Sequence, residues 1–267
     1  MTDYLAIGSK KIEYQWHGPL PGDAPTLIFL HEGLGCVSMW KDFPEKLAEK
    51  SGCGALVYSR FGYGESDSCS LPRNTKFMHE EGLDVLPGII EKTGTRDHIL
   101  IGHSDGGSIS LIYAGGLCPT SLLGVVSIAS HVFCETVTLE SIRKAKKAWE
   151  KGNLKEKLYR YHKENTEVAF RGWNDVWLDP AFVNWNIEEF LFKIEAPVLA
   201  VQGENDPYGT REQVDRIVKN VKGPALPLMV PECGHAPHLE NPSLLLDVLA
   251  AFILNPGAMD VDNSCNF

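Results

Sequence analysis

No stretch of the chain approaches the roughly 20 consecutive apolar residues that a helical membrane span requires, so no such span is expected. Met1 to Lys10 has no basic start followed by an apolar run, so no secretory leader is expected there. Basic residues are in the minority: 25 Lys and Arg stand against 35 Asp and Glu, a formal net charge of −10. That balance argues against nucleic acid or an acidic membrane as a partner. Cysteine is scarce and scattered, at positions 36, 53, 69, 118, 134, 233 and 265, with no Cys-x-x-Cys pair. An odd, unpaired set excludes a disulfide framework and a zinc site, and reduced thiols point to the cytoplasm. Neither Gly-x-x-x-x-Gly-Lys nor Gly-x-Gly-x-x-Gly occurs, so no nucleotide cofactor is expected. No metal or other cofactor is expected either. The one Asn-x-Ser pattern, Asn241-Pro242-Ser243, is blocked by its proline as a glycosylation acceptor. No repeat of 20 to 50 residues is visible.

What is present is ordinary globular material, 43% apolar and 22% charged over 267 residues. Residues 3 to 17 alternate loosely and read as a hairpin across Gly8-Ser9. Four short apolar runs then follow: Thr26 to Leu30, Ala55 to Tyr58, Ile99 to Ile101 and Leu122 to Ala129. Such runs suit strands buried on both faces. Helical spacing over Met39 to Ser51, over 76 to 93 and after Ser104 fills the gaps between them. The pattern resumes at Pro197 to Val201, with a helix over Thr210 to Val221, a strand over Leu226 to Val230 and a helix over Pro242 to Leu254. Alternating strands and helices predict an α/β fold, a mostly parallel sheet flanked by helices. Between these two parts the composition changes. Nine Lys and Arg fall between Arg143 and Lys163, and seven large aromatics between 165 and 192. The segment 131–190 therefore reads as a helical insertion, in a core of 1–130 and 191–255. Residues 256–267 read as a polar tail.

The most informative stretch is Asp97 to Gly116. An apolar run stops at Gly102, Ser104 follows between glycines, and a helical pattern begins. That is strand, sharp turn and helix with a serine at the apex, where orphan backbone N–H groups favour developing negative charge. Reactive groups collect at the carboxyl ends of strands in an open parallel sheet. Here those ends carry His31-Glu32-Gly33-Leu34-Gly35, then Ser104, then Glu204-Asn205-Asp206, then Glu232-Cys233-Gly234-His235. A nucleophile, two acids and a histidine thus share one rim.

These motifs, with Gly-His-Ser-Asp-Gly-Gly and Gly-His-Ala-Pro-His-Leu-Glu-Asn-Pro, resemble the α/β-hydrolase superfamily over residues 10 to 255. The resemblance implies that 131–190 is a helical cap. It also implies a serine hydrolase with Ser104 as nucleophile, His235 as general base and Asp206 as its partner, with Glu204 the alternative acid. The oxyanion hole would use the backbone N–H groups of Gly33 and Asp105, with Leu34 second to Gly33. Family loops commonly read His-Gly-x at 31–33, so Glu32 is a departure, expected to point away from the site or to pair with a cation. His103, Leu34, Trp173 and Trp177 are candidate substrate contacts. The Asp105 carboxylate either favours its own helix start or holds a cationic substrate group. The expected substrate is a small carboxylic ester or related acyl compound. The alternatives are carbon–carbon hydrolysis of a diketone-type ring-cleavage product and, in another class, a ligand-binding receptor. Oligomeric state is left open.

Overall fold

The computed structural model describes residues 3–256. Of the expected tail, 257–267 lie outside the described residues. Eight strands form one sheet: β1 (Asp3–Ile7), β2 (Lys10–His17), β3 (Thr26–Leu30), β4 (Gly54–Tyr58), β5 (His98–His103), β6 (Leu122–Ile128), β7 (Val198–Gly203) and β8 (Ala225–Val230). Their order is β1-β2-β4-β3-β5-β6-β7-β8. β1 and β2 pair antiparallel, β2 joins β4 antiparallel, and every pairing from β4 to β8 is parallel.

Helices cover both faces: α1 (Phe43–Ser51), α2 (Phe77–Glu80), α3 (Leu86–Thr93), α4 (Asp105–Leu117), α5 (Thr136–Lys151), α6 (Leu154–His162), α7 (Thr166–Trp177), α8 (Glu188–Leu191), α9 (Arg211–Asn220), α10 (Pro237–Glu240) and α11 (Pro242–Leu254). Two expected helices are broken, each beside a proline. The segment 39–51 opens as a 3-10 turn, Val37–Trp40, and α1 starts only at Phe43. Pro44 has no N–H to extend a helix backward, but it suits a first turn. The segment 76–93 contains a wider π-turn, Glu81–Val85, between α2 and α3. Pro87 cannot donate to the preceding turn, and the wider turn absorbs the missing bond.

Every residue of β3, β4, β5 and β7 is buried, as their continuous apolar runs require. On one face Phe29, Ile101, Val126 and Val201 pack with Trp40, Leu47, Leu249 and Phe252 from the 3-10 turn, α1 and α11. On the other, Ile28, Leu100 and Val125 pack with Met78, Ile89, Ile109 and Ile112. Each such side chain contributes about 1.5–3 kcal/mol of burial. The second cluster continues without a break into the helices between β6 and β7, through Phe170, Trp173, Trp177, Phe182 and Trp185. The chain leaves β3 toward β4 on one side and reaches β5 on the other. The carboxyl ends of β3 and β5 therefore flank a topological switch point, where α/β sheets open a crevice.

Candidate active site

Ser104 sits in that crevice, between β5 and α4, with φ 52° and ψ −118°. A non-glycine residue in this region is strained and persists only where its surroundings enforce it. Here the enforcement is close packing. Ser104 N–H donates to Ile128 O at 2.8 Å, tying the turn to the end of β6. A Cβ on Gly106 would overlap the Leu30 carbonyl, and one on Gly102 would overlap the backbone of Gly106. The glycines thus let the helix start press against β3 and β5, holding Ser104 proud of the turn.

Asp206 and His235 come from two adjacent strand ends. Gly203 closes β7 against the backbone of Gly234, so closely that a Cβ would not fit. Asn205 N–H donates to Cys233 O at 2.8 Å. The two loops run as a pair, and His235 Nδ1 lies 2.9 Å from both Asp206 carboxylate oxygens. The Asp206 side chain is 1% exposed, and Tyr208 N–H donates to its Oδ1 at 2.8 Å. Burial pushes the Asp206 carboxyl up, but the His235 hydrogen bond, the His235 charge and the Tyr208 N–H outweigh it and hold the group below the usual carboxylate range.

Ser104 and His235 border one cavity of about 190 Å³. Glu32, Gly33, Leu34, Asp105, Trp173 and Trp177 border it too. Four further residues border it: His131, Tyr208, and Thr138 and Ile142 from the first turns of α5. Sequence reasoning did not single these out. His131 could have been found by its place just past β6, and Tyr208 by its place two residues after Asp206. His131 is 2% exposed, its Nε2 lies 3.1 Å from Tyr208 O, and its ring meets Trp177 edge-on at 5.2 Å. Burial, then the neighbouring His235, lowers its proton affinity.

The loop after β3 crosses above the start of α4. His31 is fully buried; its Nε2 accepts from Arg60 N–H at 3.0 Å, and Arg60 Nη2 donates to Glu32 O at 2.9 Å. Gly33 faces the indole of Trp173, which occupies the place a Cβ would take. α4 begins at Asp105, whose N–H has no acceptor within the helix. Glu32 pairs with a cation-capable partner: its Oε2 lies 3.5 Å from His103 Nδ1. Burial opposes ionisation of Glu32, but His103, His31 and His238 together hold its carboxyl well below the usual range.

Four side chains sit differently from a simple reading of the motif. His103 does not line the cavity. It is 2% exposed beneath the site, because its Nε2 turns away to the His235 carbonyl at 2.7 Å. His238 is buried as well, against Trp40 and Phe43. Asp105 is fully buried and borders the cavity. Its Oδ1 accepts from Trp177 Nε1 at 3.1 Å, and its Oδ2 lies 4.0 Å from Arg60. Burial raises its proton affinity against the opposing pull of Arg60, His131 and Trp177. Glu204 is exposed. Two cysteines near the rim, Cys36 and Cys233, have thiols pushed up to about 11 by burial, which leaves them unreactive at neutral pH. Among the described residues, no group of three or more His, Cys, Asp or Glu could hold a metal ion. None of the described helices is long and apolar enough to cross a membrane.

Comparison with known proteins agrees with this architecture. The chain is 25% identical over 275 residues to a proline iminopeptidase of Saccharolobus solfataricus, covering 87% of this chain and 86% of that protein. It is 29% identical over 248 residues to the serine hydrolase BPHL of Homo sapiens, covering 88% and 80%. Its fold matches the crystal structure of proline iminopeptidase from Mycobacterium smegmatis with a TM-score of 0.71 at 19% identity, over 95% of this chain and 97% of that one. Residues 27–248 match the α/β-hydrolase family, and the chain belongs to that family.

Proposed function

We propose that the protein is a serine hydrolase that cleaves a small carboxylic ester or related acyl compound through an acyl-enzyme. The observation that carries this reading is that strained Ser104 and the His235–Asp206 pair open on one small cavity. Ser104 Oγ attacks the substrate carbonyl carbon while His235 Nε2 takes its proton. Asp206 accepts from His235 Nδ1 and stabilises the imidazolium. The developing oxyanion takes hydrogen bonds from the N–H groups of Gly33 and Asp105. Collapse of the tetrahedral intermediate breaks the bond to the leaving group, which takes the proton from His235. Water then repeats the sequence, releasing the acid and free Ser104. The segment 131–190 acts as a cap: Trp173 and Trp177 roof the cavity and select the acyl group. A cavity of about 190 Å³ is smaller than the roughly 300–1,000 Å³ typical of drug-sized ligands, which favours a small substrate.

A narrower reading is favoured by Asp105. Its carboxylate stands one residue from the nucleophile, borders the cavity, and has an Oδ2 without a hydrogen-bond partner among the described residues. It is placed to receive an ammonium group beside the reacting carbonyl, as in an amino-acid ester. The similarity to proteins named proline iminopeptidase points the same way.

The test is labelling by a fluorophosphonate probe together with an ester panel. Wild type should label, and S104A should lose labelling and about 10⁴–10⁶-fold in kcat. Labelling that survives S104A overturns the nucleophile; a wild type that neither labels nor turns over any ester favours a binding protein. Within the panel, D105N should lose the preference for esters carrying an α-amine. Equal specificity constants with and without the amine in both proteins would end the narrower reading.

A further inference from the structure

The chain carries a carboxylate where the proposed oxyanion site is least served by one. Glu32 immediately precedes Gly33 and borders the same cavity. A fixed negative charge there opposes the charge developing on the substrate oxygen. The Glu32 side chain is held in one arrangement. It folds back over Gly35, where a Cβ would overlap its carboxylate, and meets His103 Nδ1 at 3.5 Å. The other ring nitrogen of His103 lies 2.7 Å from the His235 carbonyl oxygen. A carbonyl only accepts, so Nε2 carries a proton. A bare Nδ1 would turn its lone pair toward the Glu32 carboxylate, whereas a protonated Nδ1 faces it as an ion pair at 3.5 Å and compensates its charge. His103 faces Glu32 from the loop after β3, the ring of His235 at 5.0 Å, the ring of His238 at 4.8 Å from α10, and Trp40 at 6.3 Å from the 3-10 turn. Of these, Glu32 alone is a carboxylate.

We infer that His103 and Glu32 form a charge-compensated strut beneath the reaction centre. His103, protonated on both nitrogens, ties the oxyanion loop to the backbone of His235 and cancels the Glu32 charge during acyl transfer. His103 is then a positioning residue: it touches no substrate and acts through Glu32 and His235. This rests on the serine-hydrolase reading above.

The test is a charge rescue. In H103Q the amide can still donate to the His235 carbonyl, but it cannot carry a charge. Ester hydrolysis by H103Q should fall at least 30-fold in kcat with KM within threefold. Adding E32Q in the same chain should restore at least tenfold of that loss. A packing role alone makes the double variant no better than H103Q; that result, or an unimpaired H103Q, overturns the strut. A second measurement needs no substitution at 103. In ¹⁵N-histidine spectra of wild type, His103 should show a proton on both ring nitrogens. A wild type with a bare Nδ1 overturns the proposal. Fluorophosphonate labelling of wild type separates the two levels. A wild type that fails to label refutes the hydrolase reading itself, whereas a labelled wild type without rescue refutes only the strut.

Discussion

The rim of the sheet and the helices between β6 and β7 meet at one cavity, but they are held in place by different forces. The rim is a backbone construction. Ser104 is fixed by its turn and by a hydrogen bond to Ile128 O, Asp206 by the pairing of its loop with that of His235, and the loop after β3 by Arg60. The helical segment is a side-chain construction. Phe170 stacks on Trp149 with ring centroids 4.1 Å apart, and Trp177 meets both Phe182 and Trp185 within 5.7 Å. The two are also joined by polar contacts, among them Trp177 Nε1 to Asp105 Oδ1, His162 Nε2 to Leu34 O and Ser141 Oγ to Pro207 O. Geometry fixed by the backbone tolerates little variation in atom position, which suits bond-making. Geometry fixed by aromatic packing can be remodelled one side chain at a time, which suits selection of a substrate.

The largest break in this comparison comes from the rim. D206N should keep the fold but present His235 with the wrong hydrogen-bonding partner, and kcat for ester hydrolysis should fall about 10³–10⁴-fold. Stopped assays at pH 7 with thermal unfolding measured in parallel would check it. A loss smaller than tenfold in a folded protein would mean that the 2.9 Å pair is not the acid–base pair of the reaction.

The same contrast explains what was legible in the sequence. Ser104 and Asp206 follow closely on buried strands and His235 follows the half-buried β8, so the strand ends that carry them could be placed from local pattern. Gly102 and Gly106 were readable as turn residues for the same local reason. The exposed Glu204 and buried Asp206 differ only in tertiary setting, and only the resemblance separated them. His103 resisted reading for a similar reason. Its position beside Ser104 suggests a pocket wall, while its direction is set by the His235 carbonyl, 132 residues away. Tyr208 and His131 stand just past strand ends, where position along the chain could have flagged them, but that both border the cavity depends on how the two loops meet. In the helical segment the aromatic count announced a packed body, but which rings face the cavity depends on how α5 and α7 lie over the sheet.

A smaller effect sharpens the joint between the two regions. W177F removes the donor to Asp105 and leaves a buried carboxylate oxygen with one partner fewer. Stability should fall by about 2–3 kcal/mol, the range for a lost bond to a charged group together with a reduced side chain. Urea unfolding would measure this. Discrimination between esters with and without an α-amine should change with it, because the freed carboxylate would rotate. If stability falls and discrimination does not move, Trp177 serves the aromatic body alone.

The smallest effect, and the one that best distinguishes the two buried carboxylates of the rim, lies in the pH dependence of stability. Asp206 is held below the usual carboxylate range, so the native state binds fewer protons there than the unfolded chain. Its contribution is present above the unfolded value of about 3.9 and is lost as pH falls through the native value. The stability difference between wild type and D206N should therefore shrink on acidification below about pH 4. Asp105 has the opposite sign. Its proton affinity is raised by burial, so the native state binds the extra proton. Wild type should gain stability relative to D105N as pH falls through the raised native value toward about 3.9. Urea unfolding of the three proteins across this range tests both slopes. Parallel slopes for the two variants would show that Asp105 shares the hydrogen-bonded setting of Asp206. Opposed slopes would leave Asp105 as a carboxylate whose full set of partners arrives only with a ligand.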